Sequence, residues 1–128
     1  MLEELRRALL VHRAVGGPAA TDVDMVLGWA TRGGARVLGR EDTGVIAPGY
    51  AADLALFRVD TLDYAGGSVH DPLAALLMCG NSSRADWTIV NGVVVVEKGR
   101  LAFADEQEIT GRVNAAARRL ALNAAAAR

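Results

Sequence analysis

Asn91-Gly92 separates two runs of strand-forming residues, Trp87-Thr-Ile-Val90 and Val93-Val-Val-Val96, and no other feature of the chain restricts its fold so tightly. A two-residue loop between such runs needs left-handed backbone at both positions, which Asn and Gly tolerate, so residues 87–96 read as a type I′ hairpin. Lys98-Gly99 marks a second turn, leading into Arg100 to Phe103. Sheet structure is thereby anchored near residue 90.

Helical spacing dominates elsewhere. Leu2, Leu5, Leu9 and His12 recur at intervals of three and four and share one stripe of a first helix, from Met1 to about Val15. No capping residue precedes it, so its first N–H groups start without partners, as in a helix whose preceding loop has been cut away. Gly16-Gly17-Pro18 ends it, and Thr21 with Asp24 has the form of a capping box opening a second helix. Val23, Val26, Leu27, Ala30, Val37 and Leu38 continue that helix through Gly33 and Gly34. These glycines either admit close approach of a neighbouring backbone or end the helix at Gly33.

Past Gly39 the pattern changes. Thr43 to Ile46 is a short β-prone piece before the Pro48-Gly49 turn, and Asp53 to Val59 reads as a strand. Asp71-Pro72 supplies an N-cap and first-turn proline for a short helix, 72–79, with Gly80 as its left-handed cap. Asp105 and Glu108 cap a last helix, 106–123, whose Ile109, Val113, Ala116 and Leu120 share a face, and the tail 124–128 should fray. The class is mixed α/β, with a natural division near residue 40.

Composition narrows the functions available. The 128 residues carry a net charge of −1 without charge blocks, which argues against nucleic acid or anionic membrane as partner. Arg6, Arg7, Arg13, Arg112, Arg118 and Arg119 fall on helical stretches and read as solvated faces. Only 5% of residues are aromatic, so the core must be built from Ala, Val and Leu. A single cysteine, Cys79, excludes an internal disulfide and fits the cytoplasm, and no run of 18 apolar residues or secretion signal is present.

The residues that do chemistry are scarce. A hydrolytic metal site needs three or four converging His, Cys or carboxylate ligands, yet His12, His70 and Cys79 are scattered. His70 beside Asp71 superficially suggests a base and its orienting carboxylate, but adjacent side chains rarely face each other and Asp71 serves better as a helix cap. Gly16-Gly17 and Gly66-Gly67 lack the form of a phosphate loop. Catalytic, cofactor-binding and metal-ligating residues are therefore assigned to none of the positions.

Three stretches, in order, resemble the C-terminal third of the amidohydrolase superfamily. They are Trp29-Ala-Thr-Arg-Gly-Gly-Ala-Arg-Val-Leu-Gly39, Thr43-Gly-Val-Ile-Ala-Pro-Gly-Tyr-Ala-Ala-Asp-Leu-Ala-Leu-Phe57 and Ala85-Asp-Trp-Thr-Ile-Val-Asn-Gly-Val-Val-Val-Val-Glu-Lys-Gly-Arg100. Met1-Leu-Glu-Glu-Leu-Arg-Arg-Ala and His70-Asp-Pro-Leu-Ala-Ala-Leu-Leu resemble more narrowly the branch with 8-oxoguanine deaminase and hydroxyatrazine hydrolases.

That resemblance implies terminal helices of an incomplete (β/α)₈ barrel over residues 1–40. It implies over 41–128 a small β-rich domain, part of a composite β-sandwich, with a closing helix. A complete enzyme of this kind uses a divalent metal, commonly zinc, to activate water against a ring carbon bearing an amine. Its ligands and its acid–base Glu would lie upstream of Met1, so no cofactor is expected in this chain and no deaminase activity from it alone. The substrate of the parent would be a small aminopurine or triazine. Alternatives are a structural or oligomerisation module derived from such an enzyme, or part of a cyclic-amide hydrolase. Leu2, Leu5, Leu9, Val26 and Leu27 are expected to lack the surface they evolved to cover, which predicts self-association or repacking of the first helix on the β part.

Overall fold

The N-terminal leucine stripe finds its partners inside the chain. In the computed structural model, which describes residues 1–80 and 84–126, α1 (Leu2–Gly16) packs on α2 (Val23–Gly28) and on α5 (Pro72–Met78). Leu2, Leu5 and Leu9 meet Val26 and Leu77 in one core cluster, with Leu27, Phe57 and Leu76 against its margin. Leu9, Val26 and Leu77 are fully buried, each contributing about 1.5–3 kcal/mol relative to an exposed side chain. Of the two outcomes expected for this stripe, α1 packs on the part of the chain beyond residue 40, where α5 supplies the surface. The core therefore draws on both sides of that division.

Helix ends follow the chemistry of their caps, with one correction. The cap of α2 is Asp22, whose carboxylate accepts the Met25 N–H at 2.8 Å, and not Thr21. Thr21 is buried at 2% exposure with its hydroxyl on the Met25 sulfur, so its side chain is committed elsewhere. The second helix does not end at Gly33. A π turn, Trp29–Gly33, carries it into α3 (Gly34–Val37). Beyond that turn Ala35 is buried while Val37 and Leu38, expected on the apolar stripe, stand in solvent, Val37 on the side of the helix opposite Ala35 and Leu38 just past the end of α3.

A Cβ at Gly33 or Gly34 would meet only the preceding turns of the same helical run, at Gly28 and Trp29, whereas Gly44 closely approaches a segment distant in sequence. With φ +88° it lies against the main chain of Thr31, where a Cβ would sit 2.9 Å from the carbonyl oxygen. Around it, residues 41–53 form bends, so Thr43–Ile46 is no strand. Tyr50 N–H closes a turn on the Ala47 carbonyl, with Gly49 at φ +88°.

The sheet has four antiparallel strands in the order β1 (Leu54–Leu56), β2 (Trp87–Val90), β3 (Val93–Glu97) and β4 (Arg100–Leu101). The sequence pattern predicts strands over 53–59 and 100–103; both are shorter. Asn91 at φ 48° and Gly92 at φ 80° make the expected type I′ turn, and Lys98 and Gly99 repeat it at 50° and 72°. Thr88 pairs with Val96 and Ile89 with Val94, leaving Val95 as a bulge.

Between β1 and β2 the chain makes a 3₁₀ turn (Leu62–Tyr64), the short α4 (Gly67–His70) and α5, the first two unanticipated. Asp71 caps α5 through the Ala74 N–H at 2.9 Å, with Pro72 in the first turn. The helix stops at Met78, one residue short of the expected 79, because Cys79 is already extended. Gly80 is left-handed at φ +60°, and a Cβ there would strike the Tyr64 ring at 2.7 Å.

Finally α6 (Glu106–Ala126) extends beyond the expected 106–123, its start held by the Asp105 carboxylate on the Gln107 and Glu108 N–H groups. Its Ile109, Val113 and Leu120 are 42%, 60% and 71% exposed, so the apolar face they share is mostly open. Of the tail predicted to fray, 124–126 is helical and 127–128 lies outside the described residues. No helix among the described residues is long and apolar enough to cross a membrane.

Candidate functional site

The residues most able to do chemistry are kept apart. His12 is exposed and off the leucine core, its ring 5.1 Å from that of Trp29 at an angle of 57°. His70 is exposed at the end of α4, and Asp71 turns its carboxylate to α5 as a cap, so the adjacent pair forms no dyad. Cys79 is a free, partly buried thiol just past α5. Among the described residues no group of three or more His, Cys, Asp or Glu side chains comes together as a metal site would require. The side chains present therefore do not fit a resident divalent metal.

Two polar constellations do form, and sequence reasoning missed both. Arg6 reaches from α1 to the end of α5, donating to the carbonyls of Leu77, of Cys79 at 3.2 Å and of Gly80 at 3.0 Å. One guanidinium thereby serves one carbonyl in the last turn of α5 and two just beyond its end. Arg13 donates likewise to the Thr21 carbonyl at 3.0 Å, tying the end of α1 to the start of α2. Helical spacing alone assigns both arginines to a solvated face; of that group Arg7 behaves so, paired with Glu4 at 3.1 Å on the surface. The signal was available, since Leu2, Arg6, Leu9 and Arg13 lie on one row of the helix.

The second constellation centres on Asp53. Its carboxylate accepts the Asn91 N–H at 2.7 Å and lies 3.5 Å from the Thr43 hydroxyl and 3.8 Å from Arg40. Arg40 forks onto Asp42 with two bonds of 2.8 Å. That hydrogen bonding, reinforced by the opposite charge, holds the Asp42 carboxyl below its ordinary value and the guanidinium above its own. The group fixes the 40–53 loop to the hairpin turn.

The most apolar of the larger cavities lies between the helices and the sheet. It is a groove of about 480 Å³ bordered by Leu2, Leu5, Leu27, Ile46, Leu54 and Leu56, among others. A smaller cavity of about 280 Å³ beside Phe57 and Tyr64 carries Arg58, Asp63, Arg84 and Asp86. Arg58 lies 3.6 Å from Asp86 there, and Arg84 donates to the Gly99 carbonyl at 3.1 Å.

Comparison with known proteins places this arrangement. The chain is 45% identical to 8-oxoguanine deaminase from Pseudomonas aeruginosa over 117 residues, covering 91% of this chain and 25% of that protein. It is 40% identical over 123 residues to a 5-methylthioadenosine/S-adenosylhomocysteine deaminase from Pelotomaculum thermopropionicum, covering 94% and 28%. The crystal structure of atrazine chlorohydrolase from Arthrobacter aurescens TC1 complexed with zinc superposes with a TM-score of 0.83 at 42% identity, over 90% of this chain and 26% of that one. The chain thus spans about a quarter of the length of the relatives it matches. The sequence profile of the amidohydrolase family covers residues 1–95, and with the fold and these relatives it establishes that the chain belongs to the amidohydrolase family.

Proposed function

We propose that these residues are the C-terminal part of a cytoplasmic, metal-dependent amidohydrolase that acts on a non-peptide C–N bond, with hydrolytic deamination of an aminopurine resembling 8-oxoguanine, or of a triazine, as the reaction of the whole enzyme. The observation that carries this reading is 45% identity to an 8-oxoguanine deaminase along nearly the entire chain. In this reading residues 1–40 are terminal helices of a (β/α)₈ barrel and 41–128 a β-rich domain with a closing helix. The chain's part is architectural: it contributes helices and a sheet, and no catalytic, cofactor-binding or metal-ligating role falls to its residues.

Zinc, present in the atrazine chlorohydrolase structure, would in the whole enzyme supply activated water from ligands outside these 128 residues. Loss of a single well-placed catalytic group commonly costs about a thousandfold or more, and here a complete set is wanting. The chain alone should therefore leave 8-oxoguanine, guanine and hydroxyatrazine unchanged in the presence of zinc. Turnover within about a hundredfold of a complete family member would overturn the reading. In isolation the chain should self-associate through open apolar faces such as Val113 and Leu120 of α6. Light scattering that finds only monomer would refute that part.

A further inference from the structure

We infer that the apolar stripe of α6 pairs antiparallel with the α6 of a second copy of this chain. This rests on the self-association proposed above and goes further in naming the segment that meets itself, its direction and its register.

Helix α6 is tied to the sheet at its start and open along the rest of its length. Glu106 accepts the Leu101 N–H at 3.1 Å, but from Gln107 to Ala124 only Ala116 is partly buried. Ile109, Val113, Ala116 and Leu120 recur at spacings of four, three and four, the repeat by which one helix packs along another. An open groove of about 740 Å³ follows this stripe, lined by Ile109, Arg112, Val113, Ala115, Ala116 and Arg119. The short alanine side chains let a second helix come close, and knobs on that helix fill holes of this kind.

Charge decides the partner and the direction. The acids Asp105, Glu106 and Glu108 stand at the start of α6, the bases Arg112, Arg118 and Arg119 follow, and no acid comes after Glu108. A parallel pair would set acids beside acids and arginines beside arginines, whereas an antiparallel pair lays each acidic end on the other copy's arginines. At about 100° per residue, Glu108 and Arg119 border the same side of the stripe, and like borders meet in an antiparallel pair. With Ile109 facing Leu120 of the second copy and Val113 facing its Ala116, Glu108 lies against the other Arg119, twice by symmetry. Within the chain Glu108 is 3.8 Å from Arg112, both well exposed, a pair weak enough to be exchanged.

The test is sedimentation equilibrium of the 128-residue chain at micromolar concentrations, without substrate or metal. A reversible dimer is expected. Val113→Asp should weaken it by about a hundredfold or more with helix content kept, whereas Ile46→Asp, at a position 88% exposed on another element, should change it less than about twofold. Glu108→Arg should weaken the dimer about tenfold, and Glu108→Arg combined with Arg119→Glu should restore it, because the swap only exchanges the two ends of one pair. A monomer throughout would leave the face to another occupant and overturn the inference. A dimer that withstands Val113→Asp would do the same, keeping self-association while removing this surface, as would a double swap that restores nothing. None of these outcomes depends on turnover, so each is scored apart from the deaminase reading of the whole enzyme.

Discussion

The main-chain N–H of Asn91 donates to the carboxylate of Asp53 at 2.7 Å, across 38 positions of sequence. This bond joins the loop after the first three helices to the tip of the hairpin. Asp53→Ala removes this bond at an exposed site, where water can take the freed N–H, and should cost about 0.5–1.5 kcal/mol in urea unfolding. Hydrogen exchange at the Asn91 amide should accelerate with it. An unchanged exchange rate would show that the bond contributes nothing in solution.

Arg6 should be harder to replace than its neighbour Arg7. Arg6→Met removes three carbonyl contacts and should destabilise by about 1.5–3 kcal/mol, while Arg7→Met should stay within about 0.5 kcal/mol. Lys at position 6 keeps the charge without the planar fork and should recover less than half of the loss. Full recovery by Lys would mean that charge alone matters.

Gly44 and Gly92 share a left-handed backbone yet differ in surroundings. Gly92→Ala meets open space and should cost only the conformational strain, about 1–2 kcal/mol. Gly44→Ala adds a Cβ 2.9 Å from the Thr31 carbonyl oxygen and 3.2 Å from the Ala35 Cβ, so its melting temperature should fall further. Equal shifts for the two variants would remove the close approach as the reason for a glycine at 44.

The Arg40–Asp42 pair sets a pH dependence of known sign. A carboxyl held below its ordinary 3.8 by a hydrogen-bonded guanidinium stabilises the fold above its unfolded value, and this contribution fades as pH falls through the lowered folded value. The window is therefore below about pH 4, and neutral pH lies on its stable plateau. A carbon-detected titration of Asp42 should show its midpoint rise in Arg40→Gln. An unmoved midpoint would dissolve the pair.

Local chemistry in the sequence located what local chemistry controls. Asn91-Gly92, Lys98-Gly99 and Asp71-Pro72 each encode a backbone geometry within a few residues, and each turn or cap lies where those residues place it. The apolar spacing of Leu2, Leu5 and Leu9 likewise marked the buried side of α1. Long-range relations were not legible in the same way. That Leu77 of α5 completes the N-terminal core, that Arg6 spans to Gly80 and that Gly44 nestles on Thr31 are facts of tertiary packing, with no period to announce them. The π turn at Trp29–Gly33 is a similar case, with no local signal to mark it, and Val37 and Leu38 beyond it are exposed. Family resemblance, unlike spacing, identified the chemistry to which such a chain relates.

The strands divide unequally along the chain. β2, β3 and β4 are linked by two-residue turns, whereas β1 pairs with β2 only after the excursion through α4 and α5. Closing a long loop carries an entropic cost that adjacent hairpins avoid, so the three later strands can zip together before the first joins them. During refolding, amides of Trp87 to Glu97 should acquire protection ahead of those in Leu54 to Leu56, making the first strand the last to arrive.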